Sequence, residues 1–323
     1  MKYLSEIKVC NELPGIEEYN DLEYITCFHH ALICCTGFYG YDVKDLLMRD
    51  FLFYRQNLGA FKSKRAEKSL CNTIGLKLKR VNVTTLDTIC EAIDRRTPII
   101  VGVDCFYLPS RPDMFLKNHA SHFILIFGYD HAEQEFLAVD SNYENSFNYE
   151  KKRISYSEII GAAQYYKKSN LSKRHNGMLV YKGKHVDVGL PKKIKDVQSL
   201  QKNLNHIKKN IQIFRDAFTV GQRKLSKIEV QAANFLQYLK MCKIGLLHSD
   251  FFEKYFPELK KAEEESIKNI TMLMGVFWKM NRFHDYEKYI QKQTTIFSKL
   301  DLWQQQETEF FEGIIKKVQN HEI

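Results

Sequence analysis

The sequence predicts an α+β fold in which an antiparallel sheet is followed by an all-helical region. Strand-like patterns lie between residues 76 and 140, and none continues beyond Pro191. After that proline, apolar residues recur at steps of three and four, as in amphipathic helices. The first such series is Leu204, Ile207, Ile211, Phe214 and Phe218. We therefore predict two domains, one over residues 1–190 and one over residues 191–323.

The first domain is predicted to contain a helix that begins at or next to Cys27 and ends near Tyr41. Apolar residues between positions 31 and 38 recur at helical spacing, and Thr26 is a suitable N-cap. A strand is predicted over residues 76–81, where apolar and basic residues alternate. Residues 85–94 have helical spacing with a threonine at the start, so a second helix is expected there.

Three clearer strands are predicted over residues 98–104, 122–129 and 135–140. The last two are joined by the short polar segment 130–134, which predicts a hairpin with Asp130 as a turn residue. An antiparallel hairpin brings the start of its first strand beside the end of its second. We therefore expect His122 and Asp140 to be neighbours.

The second domain is predicted to contain helices over residues 226–245, 258–280, 283–298 and 301–319, after the first apolar series. The acidic run at 263–265 lies on the first turns of one of them, where the helix dipole favours negative charge. We expect the aromatic residues of this domain to form its core; examples are Phe251, Phe252, Tyr255, Phe256 and Trp278.

Composition indicates a globular protein that folds without cross-links. The chain has 323 residues, of which 44% are hydrophobic and 13% aromatic, enough to bury a core. The start of the chain has no apolar run of signal-peptide length, and no stretch of 18 apolar residues predicts a membrane span. We therefore expect a cytoplasmic location without a membrane partner, and eight cysteines that remain reduced.

A nucleophilic site is predicted at Cys27, His122 and Asp140. A thiol attacks a carbonyl well only as a thiolate, and a helix N-terminus and a nearby imidazole both lower its pKa. Cys27 has the first of these, and His122 at the start of a strand is expected to supply the second. Asp140 would orient that imidazole. A cysteine on an apolar helix is more often core, so the histidine and aspartate carry this prediction.

The same residues show a family resemblance. The run Thr26-Cys-Phe-His-His, followed far downstream by His122-Phe-Ile-Leu-Ile-Phe-Gly-Tyr-Asp and Ala-Val-Asp140, resembles the papain-like bacteriocin-leader peptidases. The segment from Pro98 to Pro109, then His119-Ala-Ser-His122, more closely resembles the N-terminal domain of the butirosin biosynthesis protein H family. This resemblance spans roughly residues 20–165, and it implies a papain-like first domain.

The resemblance also implies acyl transfer. In that family an aminoacyl unit moves from an acyl carrier protein thioester to an amine of an aminoglycoside. The implied donor is a phosphopantetheine thioester on an acidic carrier protein, the acceptor is a small amine, and no bound cofactor is required. Two alternatives stay open: a thiol peptidase or amidase, in which water replaces the amine, and an inactive relative that serves as a binding scaffold.

Secondary site candidates surround the predicted triad. Papain-like enzymes commonly bind the oxyanion with a glutamine six residues before the cysteine, but position 21 is aspartate here. Asn20 or Asp21 is the side-chain candidate, and the backbone N–H of Cys27 with a neighbour is the alternative. His119 is a weaker candidate for the base, and Asn142 for the orienting residue. A metal site that includes His30 and Cys34, on about the same helix face as Cys27, is a weak alternative, so we predict none.

The excess positive charge is concentrated in one segment. Residues 151–194 contain 11 Lys and Arg against 2 Asp and Glu, whereas residues 1–150 contain 16 against 21 and residues 195–323 contain 21 against 16. A solvated surface is the simplest interpretation, and docking of an acidic carrier protein is the functional one. The docking candidates are Lys167, Lys168, Lys173 and Arg174. No nucleic-acid-binding motif accompanies them, so we predict no nucleic-acid partner.

Overall fold

The computed structural model describes residues 1–12, 26–41, 58, 71, 75–142, 148–168, 176–184 and 196–322. Two compact units are present. The first contains the described residues up to 184 except Leu58, and the second contains Leu58 and residues 196–322. The predicted domain boundary at residue 190 lies outside the described residues, so it stays a prediction.

The first unit is built on an antiparallel sheet. Its described strands are β1 (Lys2–Tyr3), β2 (Leu76–Val81), β3 (Ile99–Asp104), β4 (Ser121–Asp130), β5 (Glu135–Ser141), β6 (Tyr149–Ser155) and β7 (Gly177–Lys182). They lie in the order β2-β7-β3-β4-β5-β6, with β1 paired to β4. All described pairings are antiparallel. β3 is buried along its whole length, so β3 and β4 form the centre of the sheet.

Three described helices accompany this sheet: α1 (Cys27–Phe38), α2 (Leu86–Asp94) and α3 (Tyr156–Lys168). The first two begin as predicted, because the side chains of Thr26 and Thr85 accept hydrogen bonds from backbone N–H groups in the first turn. Seven residues of α1, from His30 to Thr36, are buried. α1 is therefore a core helix, and its N-terminal residue, Cys27, remains only partly buried.

The sequence did not predict β1, β6, β7 or α3. The sequence of β6 contains Lys151, Lys152 and Arg153, whose charge hides the period-two pattern of a strand. Positive charge is common on edge strands because it prevents pairing with other chains, and β6 is a terminal strand in the strand order. The predicted strands over residues 76–81, 98–104, 122–129 and 135–140 are present to within about two residues.

The second unit is helical throughout its described residues. Its helices are α4 (Val197–Val220), α5 (Gln222–Leu247), α6 (Asp250–Tyr255), α7 (Lys260–Phe283), α8 (Tyr286–Ile290) and α9 (Gln293–Gln319), with a 3-10 turn over Pro257–Leu259. The predicted division between residues 298 and 301 is wrong, because α9 runs through it. That segment contains no Gly or Pro, and Leu300 is completely buried there. The helices are instead interrupted after Phe283, where His284 has a left-handed backbone with φ of 54°, and again at residues 291–292, inside the predicted helix 283–298.

Aromatic side chains fill the core of the second unit. Phe214 packs against Phe277 with ring centroids 5.2 Å apart and against Trp303 at 6.3 Å. Phe252 and Phe256 are also buried, as expected for core residues. No helix within the described ranges is long and apolar enough to cross a membrane. The predicted fold class, an antiparallel α+β domain followed by a helical region, is confirmed.

Candidate active site

Cys27 is the first residue of α1, and its position is fixed by the N-cap before it. The Thr26 hydroxyl accepts a hydrogen bond from the N–H of His29 at 3.2 Å, and the Thr26 carbonyl accepts one from the N–H of His30 at 2.9 Å. These are the first bonds of the helix, so the N–H groups of Cys27 and Phe28 lie at its open end. The Cys27 thiol therefore lies at the positive end of the helix dipole, which favours the thiolate.

His122 and Asp140 lie on the hairpin expected from the sequence. Leu125 of β4 pairs with Val139 of β5, so Asp140 lies diagonally across from His122 on the same face of the sheet. Nε2 of His122 is 2.6 Å from Oδ1 of Asp140, and their side chains are 6% and 0% exposed. The contact fixes the plane of the imidazole and directs the opposite nitrogen, Nδ1, away from the carboxylate.

The Cys27 thiol and the His122 ring interact directly. Burial opposes ionisation of the thiol, but the charge and hydrogen bond of His122 and the N–H of Phe123 outweigh burial, so the pKa of Cys27 is lowered. Burial also disfavours the charged imidazole, yet the Asp140 carboxylate and the Cys27 thiolate raise the pKa of His122 to about 9. Both shifts favour the thiolate–imidazolium pair, which is the reactive form of a cysteine nucleophile.

A backbone group of β4 completes the surroundings of the sulfur. The N–H of Phe123 donates a hydrogen bond to Sγ of Cys27 at 3.3 Å. The Phe123 ring also packs edge-on against Phe28, with centroids 5.4 Å apart. Because Phe123 follows His122, two consecutive residues of β4 supply the base and a hydrogen-bond donor to the thiolate. Side-chain patterns did not predict this contact, since the donor is a main-chain group.

His30 and Cys34, which form part of the alternative metal site, are buried packing partners. The His30 ring stacks on Tyr149 with centroids 3.6 Å apart and 7° between planes, and its Nε2 is 3.0 Å from the carbonyl oxygen of Cys10. Burial lowers the pKa of His30 to about 3 and raises that of Cys34 to about 12. Within the described ranges, no group of three or more His, Cys, Asp or Glu side chains could hold a metal ion.

The predicted oxyanion donors Asn20 and Asp21 lie outside the described residues. The described part of the site offers the backbone N–H groups of Cys27 and Phe28, at the N-terminal end of α1. Backbone N–H groups at a helix N-terminus are suitable donors to a developing oxyanion. The sequence had left these groups open as the alternative to a side chain.

The two secondary candidates have other partners. The Asn142 amide nitrogen is 3.4 Å from Oε2 of Glu150 on β6, whereas Asp140 holds Nε2 of His122. Nδ1 of His119 is 2.7 Å from Oδ2 of Asp104, which is completely buried, while half of the His119 side chain is exposed. The sequence did not predict the role of Asp104. An acidic residue at the end of the otherwise apolar strand β3 was the available signal.

The basic candidates lie at and beyond the end of α3. Lys167 and Lys168 are its last two residues, with side chains outside the description, and Lys173 and Arg174 fall in the undescribed range 169–175. The residue before them, Tyr166, has its hydroxyl 2.9 Å from Oγ of Ser121, the neighbour of His122 in the chain. The end of α3 therefore lies close to the start of β4.

A cysteine at a helix N-terminus beside a histidine–aspartate pair on an antiparallel sheet defines the papain-like class of sites. A family model described as butirosin biosynthesis protein H, N-terminal, matches residues 49–141. Residues 49–141 are therefore similar to the butirosin biosynthesis protein H family, as the sequence motifs indicated. The match includes His122 and Asp140 and begins after Cys27. No curated protein matches the chain.

Proposed function

We propose that this protein is a cysteine-dependent acyltransferase that moves an acyl or aminoacyl group from a carrier-protein thioester to an amine. The observation that carries the proposal is the contact series from Cys27 through His122 to Asp140, with the N–H of Phe123 on the sulfur. The family match supports a role in biosynthesis, as the name of that family says.

In the first step the Cys27 thiolate attacks the carbonyl carbon of the donor thioester. The new C–S bond forms as the bond to the phosphopantetheine sulfur breaks, and the imidazolium of His122 protonates that departing thiolate. In this proposal the N–H groups of Cys27 and Phe28, at the open end of α1, stabilise the oxygen that becomes negative. The products are an acyl-Cys27 intermediate and the free thiol of the carrier.

In the second step an amine attacks the acyl-Cys27 carbonyl and His122, now neutral, accepts a proton from its nitrogen. The C–S bond breaks, its electron pair returns to the sulfur, and an amide is released. The thiolate–imidazolium pair is thereby restored. If water replaces the amine, the same intermediate gives a carboxylic acid, as in a thiol peptidase or amidase.

The proposed donor is carried by an acidic acyl carrier protein that docks on the basic segment 151–194. The end of α3, which carries Lys167 and Lys168, is close to β4 through the contact of Tyr166 with Ser121. A phosphopantetheine arm is long and narrow, so it suits a thiol that is only partly buried. Placement in antibiotic biosynthesis and in the cytoplasm belongs to the same proposal.

Intact mass tests the covalent step. The full chain is incubated with an acyl-loaded carrier protein and, separately, with the same acyl group on pantetheine. We expect the mass of the acyl group to be added to the parent protein and not to Cys27→Ala, with faster loading from the carrier. Addition of an amine should then discharge the adduct faster than buffer alone and yield the amide.

Cys90→Ala is the matched control, because Cys90 is partly buried on α2 and has no place in the mechanism. It should load like the parent. Discharge by water at the same rate with and without amine would support the hydrolase instead. Absence of an adduct with several acyl groups would leave the scaffold alternative, whereas product formation by Cys27→Ala would exclude the covalent mechanism.

A further inference from the structure

Acyl transfer to a basic amine releases two protons, and the triad accounts for one. An alkylamine is an ammonium ion in neutral solution, and its nitrogen goes from RNH₃⁺ to an amide N–H. In the proposed function, His122 takes one proton and becomes the imidazolium that pairs with the restored Cys27 thiolate. The other proton must be removed before the nitrogen can attack, since an ammonium ion has no lone pair. A second proton acceptor close to His122 would meet this requirement.

His119 has the geometry of such an acceptor. Its Nδ1 lies 2.7 Å from Oδ2 of Asp104, whose carboxylate is completely buried. The neutral ring therefore donates Nδ1–H to Asp104 and keeps its lone pair on Nε2. Half of the His119 side chain is exposed, and Nε2 has no hydrogen-bond partner among the described residues. A lone pair on a partly exposed, oriented imidazole can take a proton and pass it to water.

Two neighbouring aromatic rings hold the His119 ring in place. It stacks on Phe106 with centroids 4.3 Å apart and 14° between planes, and Tyr107 lies at 5.9 Å. Asp104 is held in turn, because its Oδ1 accepts a hydrogen bond from the N–H of Phe106 at 3.1 Å. Tyr107 stacks on Tyr165 at 3.9 Å, which extends an aromatic surface beside the imidazole. Aromatic faces attract cations, so this surface suits an ammonium group.

The His119–Asp104 contact lies at the same end of β3 and β4 as His122, with the Asp104 side chain on the opposite face of the sheet. Asp104 of β3 pairs with Ser121 of β4, next to His122. His119 is three positions before His122, so their Cα atoms are at most about 11 Å apart. Cys105, which follows Asp104, interacts electrostatically with Cys27. Discharge of acyl-Cys27 by an amine that contacts His119 requires the amine to span the start of β4.

We infer that the His119–Asp104 pair receives a cationic primary amine and that His119 takes the first proton from its ammonium group. Asp104 is the positioning residue. The inference rests on the proposed function and adds to it a second proton acceptor for the incoming amine. The titratable side chains of this region are Asp104, Cys105, Tyr107, Arg111, Asp113, Lys117 and Tyr165. Of the described ones, Asp104 is the carboxylate bonded to the ring.

Two small nucleophiles of similar size separate this role from a structural one. Acyl-Cys27 protein is prepared with a pantetheine thioester, and its discharge by methylamine and by hydroxylamine is followed by intact mass. Methylamine is a cation at neutral pH, whereas hydroxylamine is mostly the free base. His119→Gln keeps a donor to Asp104 but loses the basic nitrogen. We expect discharge by methylamine to slow about 100-fold and discharge by hydroxylamine to stay close to the parent rate.

Three further readouts complete the test. The rate of Cys27 acylation should be unchanged in His119→Gln, and its methylamine deficit should shrink as the pH rises towards the pKa of the amine. Asp104→Asn, which can still accept the N–H of Phe106, should show the same selective deficit at smaller size. His131→Gln is the matched control: this exposed histidine bonds the Tyr156 hydroxyl at 3.1 Å, beyond the far end of β4, and should behave as the parent.

Equal losses with both nucleophiles, or a loss in acylation, would show that His119 only supports the structure and would overturn the inference. So would a parent-like methylamine rate in His119→Gln, and in that case the acyl-enzyme mechanism would still stand. Failure of the parent to form acyl-Cys27 at all would instead overturn the proposed function, and the role of His119 with it.

Discussion

Each of the two units of the chain contains a buried cluster of charged residues. The two clusters have similar contacts but different roles. In the first unit the His122 imidazole lies 2.6 Å from Asp140 and interacts with the Cys27 thiol. In the second, Nζ of Lys243 lies 2.6 Å from Glu263 and 2.5 Å from Glu307, and all three side chains are at most 3% exposed. In each cluster a buried cation contacts at least one buried carboxylate.

The difference lies in what the remaining atoms of each cluster contact. Glu307 also accepts hydrogen bonds from Ser266 at 2.9 Å and Trp303 at 3.2 Å, so helices α5, α7 and α9 enclose the cluster. Cys27 is instead only partly buried at the open end of α1. Buried charge can act on a substrate only where one member is accessible. We therefore expect changes in the first cluster to alter reactivity and changes in the second to alter stability.

Asp140→Asn should give the largest effect, on reactivity. The amide can still accept a hydrogen bond from His122, but without its negative charge the raised pKa of His122 falls from about 9. We expect acyl transfer to slow about 10³-fold at neutral pH, and the high-pH limb of the rate profile to move to lower pH. Steady-state rates measured across the pH range test both effects.

Asp130→Asn is the control for that substitution, because Asp130, which was expected in the turn, is the last residue of β4 in the same hairpin, where its carboxylate accepts the N–H of Ala132. It should leave the rate profile unchanged. A rate profile of Asp140→Asn that keeps the parent's high-pH limb would mean that Asp140 does not set the charge state of His122, and the contrast between the clusters would lose its basis.

Lys243→Met should give the next effect, on stability. Removal of the ammonium leaves Glu263 and Glu307 buried beside each other, at a cost of about 3 kcal/mol. Hydrogen exchange of the amides in α5, α7 and α9 should accelerate accordingly, whereas alkylation of Cys27 by iodoacetamide should keep its parent rate. Lys224→Met on the same helix removes an exposed ion pair with Asp216 and should change exchange only slightly. A changed Cys27 alkylation rate in Lys243→Met would contradict the separation of roles.

The central strands and α1 could be predicted because each has a local signal. β3, β4 and β5 are apolar runs bounded by polar residues, and Thr26 marks the start of α1. β6 carries three consecutive basic residues and has no such signal, so it was missed. The same explanation applies to α9: its continuity through residue 300 depends on tertiary burial of Leu300, which a pattern of local breaks does not reveal.

In the candidate site, too, only the residues with a local sequence signal could be predicted. Cys27, His122 and Asp140 could be named because a helix start and a hairpin bring them together by rule. The N–H of Phe123 and the Asp104–His119 contact could not, since they depend on the register between β3 and β4 and on the course of a loop. The Lys243 cluster joins three helices that are distant in sequence. From the sequence alone, its charged residues would be placed on the surface.

Glu263→Gln should give the smallest effect, a change in the pH dependence of stability. Burial is the main cause that raises the pKa of Glu263 to about 7, against the attraction of Lys243. The folded state therefore binds more protons than the unfolded state between pH 4.5 and about 7, and the stability of the second unit falls as pH rises through that window. Glutamine does not titrate, so hydrogen exchange in α7 should lose this pH dependence, which amounts to at most about 3 kcal/mol of stability over the window. A slope retained in Glu263→Gln would assign it to another group and would leave only Lys243 as the tested link between this buried cluster and stability.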